Sequence, residues 1–73
     1  ESATMTLRSS IPFSLRLSLH DVLGRELWLL AEGRYGAGTH EVPFSLEGLP
    51  VGIYFVRCNI GGQVVVRRLA VVR

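Results

Sequence analysis

Residues 13–27, FSLRLSLHDVLGREL, decide the fold. Phe13, Leu15, Leu17 and Leu19 alternate with Ser14, Arg16, Ser18 and His20, the period of two that a half-buried strand requires. Helical spacing would set Leu15 and Leu17 about 200° apart on the cylinder and split the apolar set across both sides. Asp21 and Gly24 then break the pattern as turn residues. The Asp21 side chain suits an Asx turn, Val22 and Leu23 suit the central positions of a type I turn, and Gly24 supplies the left-handed residue that returns the chain to a second strand. This hairpin chemistry explains the aspartate and the glycine. It leaves Arg25 and the apolar tip without an account.

Working outward, strand signals recur along the chain. RELWLLAEG, residues 25–33, has Leu27, Trp28, Leu29 and Leu30 in succession, so both of its sides are covered or a bulge interrupts it. RYGAGT follows as a loop through Gly36, Ala37 and Gly38. In THEVPFS, His40, Val42 and Phe44 share one side, and Pro43, which has no amide hydrogen for a ladder, predicts an edge strand or a strand that ends there. LEGLPVG is a connector. GIYFVRCNI, rich in β-branched and aromatic residues, is the strongest strand signal. Gly61 and Gly62 make a tight hairpin into VVVRRLAVV. The opening ATMTLR is a weaker strand with Ala3, Met5 and Leu7 on one side. Six to seven short strands with turn signals between them and no helix predict an all-β fold, a small antiparallel immunoglobulin-like β-sandwich.

Composition narrows the function. The chain of 73 residues has room for one domain, 1–73. Beginning at Glu1, it reads as a fragment cut from a longer protein. One cysteine, Cys58, excludes an internal disulfide and any cysteine-rich zinc site, so packing must stabilise the core. The net charge of +2 comes from eight arginines and six acids, without a lysine. Only Arg67 and Arg68 are adjacent, which is no basic stripe for nucleic acid. The apolar tail is divided by those two arginines and is too short for a membrane span.

Candidate catalytic chemistry is thin. His20 beside Asp21 and His40 beside Glu41 are the residue types of an acid–base or metal pair, but neighbours on a strand point to opposite sides and no HExxH-like spacing exists. The serines lack a nucleophile-elbow context. Cys58 alternates with Tyr54 and Val56, which predicts a buried thiol. Trp28 and Tyr35 raise a sugar-stacking platform, weighed against ordinary strand packing. The expectation is no enzyme, no cofactor, no metal and no small-molecule substrate.

Taken in order, LSLHDVLGRELWLL, GAGTHEVPFSLEGLPVGIYFVR and GGQVVVRRLAVVR resemble the C-terminal sorting domain of cargo proteins of the type IX secretion system of Bacteroidota. The resemblance covers residues 3 to 73. It rests on a YD-x-x-GR hairpin, an AG-x-H turn, an LP-x-G-x-Y strand opening and an apolar-basic terminus. Asp21, Gly24 and Arg25 match the first; Gly38 and His40 match the second; Pro50, Gly52 and Tyr54 match the third; Arg67, Arg68 and Arg73 match the fourth. His20 replaces the family's tyrosine, Cys58 stands where leucine is commoner, and the family's proline-asparagine-proline opening is missing, which leaves open whether a strand is absent.

The resemblance implies an immunoglobulin-like sandwich that directs an attached cargo through the periplasm and across the outer membrane, to be secreted or displayed at the cell surface. Its implied partners are the outer-membrane secretion machinery and a surface sortase, which in many cases removes the domain. Asp21 and Gly24 have sufficient structural roles in a turn. Gly52 suits a tight turn and Tyr54 a core anchor. The terminal arginines are explained more readily by recognition than by folding. The alternative is a non-catalytic immunoglobulin-like structural or accessory module: a spacer, a hook-capping-like domain or a carbohydrate-binding domain.

Overall fold

The alternating stretch Phe13–His20 is the second of six strands in the computed structural model, which describes residues 2–72. The strands are β1 (Ser2–Ser9), β2 (Phe13–His20), β3 (Glu26–Tyr35), β4 (Gly38–Ser45), β5 (Gly52–Ile60) and β6 (Gln63–Val71). All pairings are antiparallel, and the described residues contain no helix. A four-stranded sheet in the order β3-β2-β5-β6 faces a two-stranded sheet of β1 and β4, giving a small β-sandwich.

The core follows from the alternation. Phe13, Leu15, Leu17 and Leu19 of β2 and Tyr54, Val56 and Cys58 of β5 point inward from adjacent central strands, with Leu17 and Leu19 fully enclosed. Leu7 of β1 and Val42 of β4 close over them from the second sheet. Leu46 and Leu49 are also buried, so the connector expected only to link strands contributes two core side chains. Removing these apolar groups from water is the main favourable contribution to the fold, and no disulfide supplements it.

One expectation needs correction, and one alternative is decided. The loop expected over RYGAGT is shorter, because β3 continues through Tyr35 and β4 begins at Gly38. The reason is aromatic packing: the Tyr35 ring stacks on Phe13 directly across the ladder, with centroids 5.5 Å apart and 11° between planes. Of the two accounts of the apolar run in β3, coverage on both sides does not hold and an interruption of the bulge kind does. Its pairing with β2 shifts register between Leu17 and Ser18 and again between Leu19 and His20, and as the outermost strand it leaves Leu27, Trp28 and Leu29 exposed. The edge position expected for Pro43 agrees with the two-stranded sheet, where β4 has a neighbour on one side only.

Candidate functional site

The residues singled out by sequence fall into three turn structures and one strand. In the β2–β3 hairpin, Asp21 Oδ1 accepts hydrogen bonds from the amides of Leu23 (2.9 Å) and Arg25 (3.0 Å). The Gly24 amide donates to the Asp21 carbonyl, and the Asp21 amide to the Arg25 carbonyl, both at 3.0 Å. Gly24 has a φ of 85°, in the left-handed region that a side chain would strain. Arg25, unexplained by turn chemistry, has an internal partner: its Nε donates to Asp21 Oδ2 at 2.9 Å. The Arg25 amide, followed by the other donors, holds the Asp21 carboxyl below its usual pKa.

His20, where the family pattern has tyrosine, joins this turn to the sheet. Its Nδ1 lies 3.2 Å from the Gly24 carbonyl and its Nε2 2.9 Å from Ser18 Oγ. A carbonyl can only accept, so Nδ1 carries the hydrogen, and in the neutral ring Nε2 accepts from the buried Ser18 hydroxyl. Beside this turn the outer side of the large sheet has a shallow hollow of about 440 Å³, lined by His20, Asp21, Val22, Phe55, Arg57 and Val66. The tip residues Val22 and Leu23 project into solvent.

The second turn links β3 to β4. Gly38 opens β4 with a φ of 121°, and His40 Nε2 donates to the Gly36 carbonyl at 2.7 Å. The imidazole meets Tyr35 and Phe13 edge-on, with centroids 5.2 and 5.8 Å away, so His40 ties the turn to an aromatic cluster. In the third, the Tyr54 hydroxyl donates to the Pro50 carbonyl at 2.7 Å. Gly52 does not take a left-handed conformation, contrary to the tight turn expected of it. Nor does crowding call for a glycine: a Cβ added there would lie 3.8 Å from the Tyr54 ring, an ordinary contact.

The arginines of the fourth motif differ. Arg67 and Arg68 project from opposite sides of β6, both are exposed, and neither has an ion pair or hydrogen bond among the described residues. Arg73 lies outside the described residues. The ion pairs cluster on the β2–β3 hairpin instead. Arg16 grips Glu26 with two parallel bonds of 2.9 and 3.0 Å and lies 3.6 Å from Glu32, while Arg25 takes Asp21.

His20 and His40 are committed to separate turns, and among the described residues no three histidine, cysteine or acidic side chains converge as a metal site. Cys58 is buried, and burial pushes its thiol pKa up, away from nucleophilic character. Trp28, weighed against strand packing, is partly exposed opposite Leu19, at the other end of β3 from the half-buried Tyr35, which stacks on Phe13. Sequence reasoning passed over the links made by His20 and Tyr35; the signals were a histidine flanking an Asx turn and an aromatic directly before a glycine. Compared with family models, with curated proteins and with solved structures, the chain matches none.

Proposed function

We propose that this chain is a non-catalytic sorting domain, which directs an attached cargo protein across an outer membrane through type IX secretion machinery. One observation carries the reading. Seven of the matched motif residues build turns or brace a strand opening of the sandwich, whereas Arg67 and Arg68 point into solvent without a partner among the described residues. Residues with a folding role form a frame, and residues without one are available to a receptor. On this reading the machinery recognises a folded unit with a basic, apolar final strand, and removal by a surface sortase follows export.

The test is a fluorescent reporter carrying a signal peptide and residues 1–73 at its C-terminus, expressed in a type IX-competent host and in a secretion-null strain. Reporter outside the competent cells alone supports the reading. Reporter kept in the periplasm of both strains refutes it.

A second reading, an accessory module that binds polysaccharide, is favoured by the partly exposed Trp28 beside exposed Leu27 and Leu29. Retention on insoluble polysaccharide that disappears in Trp28→Ala would select it.

A further inference from the structure

The two outer strands of the large sheet differ. β3 meets its neighbour through two register shifts and carries Glu26 and Glu32, features that twist and charge an edge against pairing. β6 pairs with β5 residue by residue from Gly52↔Val71 to Ile60↔Gln63 without a shift. Among the described residues its other side has no strand neighbour. It is therefore a regular free edge with unpaired backbone donors and acceptors, and exposed Val64, Val65 and Val66 flank them.

β6 is covered unevenly on its inward side, with Val71 at its end buried and Val65 near its start not. Val65 lies on the inward side, opposite Cys58, yet is 37% exposed where Cys58 is 3% exposed. A recess of about 210 Å³ opens there, lined by Met5, Leu7, Cys58, Ile60, Val65 and Arg67. Its walls are mostly apolar and its charged group is a cation without a partner among the described residues. Arg68 lies on the other side, opposite Phe55.

We propose that β6 is a docking edge for an extended acidic-apolar peptide, which adds as a fifth antiparallel strand, places carboxylates opposite Arg67 and Arg68, and turns an apolar side chain into the recess. Charge complementarity selects this occupant. An added strand gains main-chain hydrogen bonds from the edge whatever its sequence, so side chains must supply the selectivity. A second copy offers QVVVRRLAV, which has no carboxylate, and would gather four arginines in one ribbon. The inference concerns the strand used in the export reading but does not rest on it, because binding in solution is its readout.

The probe is a short capped peptide with two adjacent glutamates set in alternating valine and threonine, fluorescently labelled and titrated with the whole chain. Binding is expected that weakens with salt and is at least about tenfold stronger than for the same peptide with lysines. N-methylation of alternate amides should abolish binding in one phase and spare it in the other, since alternate residues of an added strand face the edge. The double variant Arg67→Glu, Arg68→Glu should reverse the preference to the lysine peptide, and its melting curve establishes that it is folded. Equal binding of both peptides, tolerance of methylation in both phases, or no binding overturns the proposal. So does sedimentation of the chain as a dimer that no peptide disrupts.

Discussion

The Tyr54 hydroxyl donates to the Pro50 carbonyl at 2.7 Å and so closes the connector onto the first turn of β5, with the tyrosine ring over Gly52. This bond is half-buried and local. Tyr54→Phe keeps the ring and leaves the carbonyl unpaired, so it should cost about 1 kcal/mol, a loss of several degrees in melting temperature for a domain this small. Gly52→Ala should be nearly neutral, because its Cβ would make ordinary contact and its backbone is unstrained. Thermal denaturation of both variants checks the pair.

Acid should weaken the β2–β3 hairpin. Donors from Arg25 and Leu23 depress the Asp21 pKa, and hydrogen bonds from Arg16 depress that of Glu26. A carboxyl whose folded pKa lies below its unfolded value of about 4 contributes fully above that value, and the contribution disappears as pH falls through the folded pKa. Wild type should therefore lose stability below about pH 4. In Asp21→Asn the acid sensitivity should be smaller, with the two proteins converging as pH falls. Urea midpoints across a pH series measure this, and parallel curves would contradict it.

At the end of β6, Val71 is 1% exposed and Val72 is 70% exposed. Truncation after Val71 should leave the melting curve unchanged, whereas Val71→Ala should cost about 2 kcal/mol by opening a cavity. In the reporter assay the truncated domain should fail to direct export while folding normally. Full export by the truncation would place recognition elsewhere.

Cys58 should resist thiol reagents. It is enclosed and its pKa is raised by burial, so modification at neutral pH should be slow until denaturant is added. Cys58→Ser would bury a hydroxyl among apolar neighbours and should cost about 1–3 kcal/mol. Rapid labelling of the native protein would mean that the sandwich opens far more readily than its packing implies.

The central strands were legible because their environment is written in their own alternation. Phe13, Leu15, Leu17 and Leu19, and likewise Tyr54, Val56 and Cys58, point inward as the period of two predicts. The outer strands were not. Leu27, Trp28 and Leu29 of β3 and Val64, Val65 and Val66 of β6 are exposed although apolar, because a strand's place at an edge depends on how many others pair beside it. The turns were legible in backbone chemistry, as Asp21 and Gly24 show, but not in tertiary links. That His40 would meet Phe13 and Tyr35 required knowing which two hairpins lie together.

Asp21 commits both carboxylate oxygens to its own loop, and Arg25 and Gly24 close it from the other side. The loop's shape is thus written at its base and in its backbone, while the exposed side chains of Val22 and Leu23 make no contribution to that scaffold. These two positions form an exchangeable cassette on a rigid mount. Evolution or an engineer can rewrite what the tip displays without redrawing the loop that displays it.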